Sequence, residues 1–123
     1  MIIKGVMRQR GAGINCSLSD NGRYFNLDLD NTLGYFILEF YRFIISNRTM
    51  AKIGGADYLV QNSTWNGNNY RSIRANILGI DFQFRKYEKN PDGSLSSSDK
   101  VSITMTLPEK ESEVIDGSAE NPF

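Results

Sequence analysis

The chain contains no histidine, which removes the commonest general base and the commonest metal ligand together. Its single cysteine, Cys16, can form no internal disulfide, as fits a reducing compartment. With no imidazole to activate it, Cys16 between Asn15 and Ser17 is not a nucleophile pattern either. No apolar run approaches the ~20 residues of a membrane span, and the N-terminus lacks the three regions of a secretory signal. The glycine pairs match no phosphate-loop spacing. Asp28 and Asp30, two apart, would share a strand face as a metal-binding pair could, but such pairs are mostly solvated strand ends and helix caps. These absences predict an intracellular protein that is not an enzyme and has no cofactor, no metal and no membrane partner.

Net charge is absent too, with 14 basic and 14 acidic residues, but the charges are unevenly placed. Residues 109–123 hold five acids (Glu109, Glu111, Glu113, Asp116, Glu120) against Lys110, which leaves 13 bases and 9 acids in residues 1–108. A basic body with an acidic end suits a protein that meets polyanions. The 123 residues, 40% apolar and 23% charged, suffice for one domain with a core and no disulfide staples. That domain is expected over residues 1–108, with 109–123 a disordered acidic tail.

What the chain does have is a hairpin signal. Asn66-Gly67 suits a type I′ turn, whose central residues both need positive φ. With these two as the loop, Val60 pairs with Ile73 and Tyr58 with Ala75 on an apolar face. The other face pairs Leu59 with Arg74, Gln61 with Ser72, Ser63 with Tyr70 and Trp65 with Asn68. Trp65, Tyr70 and Arg74 would then lie on one exposed sheet face, where flat rings and a guanidinium suit stacked, unpaired bases. The alternative is that another element covers this face and the aromatics are core.

In chain order, Ile2–Gln9 reads as a first strand, and Arg8, Arg10 and Gly11-Ala12-Gly13 as a mobile basic connection that is either a flexible turn or a segment lying along phosphates. Strands at Ile14–Leu18 and Tyr24–Leu29 follow, joined by Ser19-Asp20-Asn21-Gly22; Phe25, Leu27 and Leu29 face inward and Tyr24, Asn26 and Asp28 outward. Asp30-Asn31-Thr32 supplies capping residues for a helix to about Ser46, with Leu33, Phe36, Ile37, Phe40 and Ile44 at helical spacing. Asn47–Gly55, with Arg48 and Lys52, reads as a basic loop. After the central hairpin, apolar residues shift from odd positions (Ile73, Ala75, Ile77) to even ones (Ile80, Phe82, Phe84), with Gly79 at the change, as in a bulged long strand. Arg85, Lys86 and Lys89 surround Tyr87; Asn90–Gly93 is a turn, Ser94–Asp99 a mobile polar loop, and Val101–Leu107 a last strand. The sum is a mainly β protein with one helix, either a small curved antiparallel sheet or a five-stranded barrel of the oligonucleotide-binding (OB) type. A Whirly-type curved sheet is the alternative.

The chain ends EKESEVIDGSAENPF, an acidic stretch closed by Pro122-Phe123. This resembles the tail of bacterial and phage single-stranded-DNA-binding proteins, and W-N-G-N-N-Y-R in the hairpin is similar to the aromatic- and base-bearing strands of that family's barrel. The scattered acids and the Asn121 after Glu120 depart from the family's tail pattern, and the lack of a Gly- and Gln-rich linker favours a compact phage or mobile-element form. The resemblance implies sequence-tolerant single-stranded-DNA binding in replication or recombination, in a bacterial cytoplasm. Trp65, Tyr70, Arg74, Tyr24, Lys52, Arg85, Lys86 and Tyr87 would contact DNA, while Glu120, Pro122 and Phe123 would recruit replication and repair proteins. Homo-oligomers through exposed strands or the aromatic helix face are compatible with it. From another class, the aromatic face would instead bind a host protein, as in a phage-type inhibitor.

Overall fold

The computed structural model describes residues 1–108. Its elements are β1 (Ile2–Arg10), β2 (Gly13–Asp20), β3 (Arg23–Asn26), α1 (Thr32–Ile45), β4 (Met50–Ile53), β5 (Ala56–Leu59), β6 (Gln61–Trp65), β7 (Asn68–Ile77), β8 (Ile80–Tyr87) and β9 (Val101–Thr106). Seven strands form one antiparallel sheet in the order β3-β2-β1-β9-β8-β7-β6, and β4 and β5 pair separately. The fold is mainly β with one helix, as expected. Of the forms considered, an open antiparallel sheet is present and the five-stranded barrel is not, because β3 and β6 remain unjoined as its edges.

The central turn forms as the sequence demands. Asn66 and Gly67 take φ of 50° and 77°, and the register runs from Gln61 opposite Ser72 to Trp65 opposite Asn68. Above Gln61 the expected pairs of Val60 with Ile73, Leu59 with Arg74 and Tyr58 with Ala75 do not form. The Val60 amide donates instead to the Thr49 carbonyl at 2.9 Å. Tyr58 pairs with Ala51 in the small hairpin and sets its ring edge-on to Phe40, centroids 4.8 Å apart. Ring burial against α1 thus draws β5 out of the main sheet. The stretch 47–55 is accordingly not a loop throughout, since it contains β4 and the Gly54-Gly55 turn into β5.

The expected bulge at Gly79 is also a hairpin. Leu78 and Gly79, at φ 52° and 85°, form a two-residue loop, so Ile77 faces Ile80, Ala75 faces Phe82 and Ile73 faces Phe84. A two-residue loop pairs odd positions with even ones, which accounts for the change of phase. Asn76 supports the turn: its Oδ1 accepts from the Gly79 amide at 3.2 Å and its Nδ2 donates to Asp81 at 2.9 Å. Three other expectations shift. β1 runs through Arg10, so Arg8 and Arg10 belong to a strand. β3 ends at Asn26, with Phe25 44% exposed and Leu27 and Leu29 packed on the core beyond it. The Ser94–Asp99 loop is tied down: Ser96 donates to the Glu88 carbonyl at 3.0 Å, Lys86 Nζ to Ser97 O at 2.8 Å, and Asp99 accepts from the Gln9 amide at 3.0 Å.

Helix α1 starts where the capping residues place it, the Asn31 side chain accepting from the Gly34 amide at 2.8 Å. Ile37, Phe40, Tyr41, Phe43 and Ile44 are buried against the sheet. The core is completed by Ile3 and Met7 of β1, Cys16 and Leu18 of β2, Ile73, Ala75 and Ile77 of β7, Phe82 and Phe84 of β8, and Val101, Ile103 and Met105 of β9. Every one of these lies on the same face of the sheet, because strand side chains alternate and the registers lock the alternation across strands.

Candidate functional site

The opposite face is fixed by the same registers. From one edge to the other it presents Tyr24 and Asn26 (β3), Asn15, Ser17 and Ser19 (β2), Lys4, Val6, Arg8 and Arg10 (β1), Ser102 and Thr104 (β9), Gln83, Arg85 and Tyr87 (β8), Tyr70, Ser72 and Arg74 (β7), and Ser63 and Trp65 (β6). Among its strand residues the one carboxylate is Asp81, already bonded to Asn76. Lys4, Arg8, Arg10, Arg74 and Arg85 have no carboxylate within ion-pair distance among the described residues. No helix among the described residues covers this face: α1 packs on the other side.

Towards its β6 edge, Tyr70 and Tyr87 are register partners with ring centroids 5.0 Å apart, tilted by 45°. The Arg85 guanidinium lies over the Tyr70 ring at 4.6 Å and donates to the Tyr87 hydroxyl at 2.8 Å. With the Gln83 amide turned so that its oxygen faces Arg85, that oxygen accepts from Nε at 3.1 Å and Nη2 at 3.2 Å. The guanidinium is therefore held flat over a ring while each terminal nitrogen keeps an N–H for a ligand. Trp65 stands at the β6 edge, 62% exposed, and Tyr24 at the β3 edge, 78% exposed.

The face is grooved. A depression of about 320 Å³ lies between Arg8, Arg10, Asn15, Ser17 and Val6. One of about 450 Å³ is bordered by Ile2, Lys4, Gln83, Arg85, Tyr87 and Thr104. A third, of about 250 Å³, shares Val6 with the first and Tyr87 and Ser102 with the second, and reaches Trp65. Successive shared walls make a track across the sheet from β2 to β6.

Of the residues expected to bind, the structure gathers Tyr24, Trp65, Tyr70, Arg74, Arg85 and Tyr87 on this face. It does not bring Lys52 or Lys86 there. Lys52 is in the β4–β5 hairpin, 3.2 Å from Asp57. Lys86 alternates to the helix side, where it caps Ser97 O and where burial lowers its pKa. Arg71 likewise points to the helix side and donates to Arg48 O at 2.8 Å. Lys4, Arg8, Arg10, Ser102 and Thr104 were not singled out for this face. The alternation within β1 and β9 carried the signal, but which strands neighbour β8 is a property of topology. Asp28 accepts from the Asp30 amide at 2.9 Å, a turn ahead of the helix cap, and no cluster among the described residues suits a metal ion. No helix among them is long and apolar enough to cross a membrane. Glu120, Pro122 and Phe123 lie outside the described residues.

No protein-family model matches this chain, and no similar curated protein or solved structure was found.

Proposed function

We propose that the uncovered face binds single-stranded nucleic acid, DNA in the first instance, with little regard to sequence. The observation that carries this reading is the open face, where the grooved track is lined by Lys4, Arg8, Arg10, Arg85, Tyr87 and Trp65 and shares its surface with Tyr24, Tyr70 and Arg74, Asp81 being the one strand carboxylate there. Rings supply stacking planes that any base satisfies, and cations without carboxylate partners release counterions when phosphates replace them. The rows of Ser and Thr between them are short enough to let a strand lie close to the sheet. A duplex hides its base faces, and this surface offers no helix to a major groove, so single strands are preferred. In the same reading the tail recruits replication and repair proteins through Phe123, in replication or recombination.

The test is a titration of a labelled oligonucleotide at several salt concentrations, with duplex of equal length beside it. Steeply salt-dependent binding of the single strand, quenching of Trp65 fluorescence and much weaker duplex binding are expected. Absence of binding, or equal binding of both forms, overturns the reading and leaves a protein-binding face in its place. For the tail, removing Phe123 alone should abolish capture of host replication proteins without changing DNA affinity.

A further inference from the structure

We infer that the cavity beyond the C-terminal end of α1, on the helix side of β6, β7 and β8, binds a phosphate group between Arg71 and Lys86. This site is separate from the open face and stands however that face is read.

The cavity, about 660 Å³, lies between Asn47 after the helix, Asn62 and Thr64 of β6, Asn69 and Arg71 of β7, and Lys86 of β8. The registers set Arg71 directly opposite Lys86. Like charges so placed repel, and partial burial, which lowers the pKa of each, adds to the cost. Neither has a carboxylate within ion-pair distance among the described residues. Their partners are neutral carbonyls: Arg71 Nη2 donates to Arg48 O at 2.8 Å, and Lys86 Nζ to Ser97 O at 2.8 Å and Tyr87 O at 3.3 Å. Anchoring those carbonyls calls for donors, but not for two positive charges side by side. The Arg71 Nε–H is shut from solvent without a partner, and Nη1 makes no hydrogen bond among the described residues. The nearby acids do not supply the missing anion. Glu88 stands exposed at the rim and accepts from Asn69 Nδ2 at 3.3 Å, while Asp99 accepts from the Gln9 amide at 3.0 Å. A phosphate suits the place better than a carboxylate, because its greater charge offsets both cations and its additional oxygens meet a guanidinium and an ammonium together. The Asn62 amide and the Thr64 hydroxyl line the same space as further donors. The phosphate can come from a free phosphate ester or from a nucleic-acid strand, since this cavity shares Tyr87 and Ser96 with the depression beside Trp65.

The full chain, labelled with ¹⁵N, is titrated at fixed ionic strength with inorganic phosphate, with acetate and with an oligonucleotide, following the arginine Nε–H resonances. Shielding from solvent slows exchange of the Arg71 Nε proton, which makes its signal observable. Phosphate should shift that signal saturably, with half-saturation at about 1 mM, and acetate should not. Lys86→Gln, which keeps a donor for Ser97 O, should raise the half-saturation about tenfold. If that variant does not fold, Arg71→Gln is compared by thermal unfolding, and the rise in melting temperature that phosphate gives over acetate in the wild type should vanish. A response to inorganic phosphate assigns the site to free phosphate esters as well, and a response to the oligonucleotide alone, lost in Lys86→Gln, assigns it to the strand. No shift with either, an equal shift with acetate, or a response unchanged in the variants overturns the site and leaves the reading of the open face intact.

Discussion

The two faces of the seven-stranded sheet come from the same strands and follow opposite rules. On the helix side the middle strands bury an apolar core, down to Phe84 stacked between Phe40 and Phe82 at 5.4 and 5.9 Å. On the other side the same strands carry cations, hydroxyls, amides and half-exposed rings, with Asp81 as the sole strand carboxylate. A face meant simply for water would mix charges of both signs, because a one-signed surface repels itself. The core-side alternation is thus a demand of folding, whereas the sign imbalance opposite has no folding purpose.

Four measurements test that contrast. The largest effect belongs to the covered face: Phe84→Ala should destabilise the fold by ~3–5 kcal/mol in denaturant unfolding, since the side chain is fully buried. A loss near zero would mean that the helix does not seal this side.

Next comes Trp65→Ala, expected to weaken single-strand binding by ~1–3 kcal/mol while leaving the unfolding midpoint nearly unchanged. A variant that unfolds but binds as before would invert the two faces' roles.

A pH effect distinguishes the faces again. Burial on the helix side raises the Cys16 thiol from an ordinary 9.0 to about 11. Its folded-state value lies above its unfolded one, so its contribution is complete below about pH 9 and is lost as pH rises towards 11. Stability should therefore fall across that window by less in Cys16→Val than in the wild type. Identical slopes for the two proteins would show that the thiol is not buried as described.

The smallest effect is the most specific. Arg74 is exposed, and no hydrogen bond or ion pair engages its side chain among the described residues. Arg74→Ala should lower the salt slope of binding by ~1 with no effect on stability. An unchanged slope in an otherwise normal titration would place the phosphates elsewhere on the track.

The local events were legible in short stretches of the chain. Asn66-Gly67 dictated its turn because few other residues accept positive φ twice in succession, and Asn31 dictated the start of α1 because its side chain satisfies an amide the helix leaves open. Trp65, Tyr70 and Arg74 could be placed on one face from that turn alone, since period-two alternation follows once a register is known. Which elements meet was settled in three dimensions. Leu78-Gly79 was misread because leucine seldom takes positive φ; Asn76 and the pairing of Ile77 with Ile80 hold it there. Tyr58 left the main sheet for Phe40, a contact with no local signature. Lys4, Arg8 and Arg10 joined the aromatic face only because β1 lies beside β9, and β9 beside β8. Strand order is set by long-range burial under one helix, and no stretch of sequence carries that by itself.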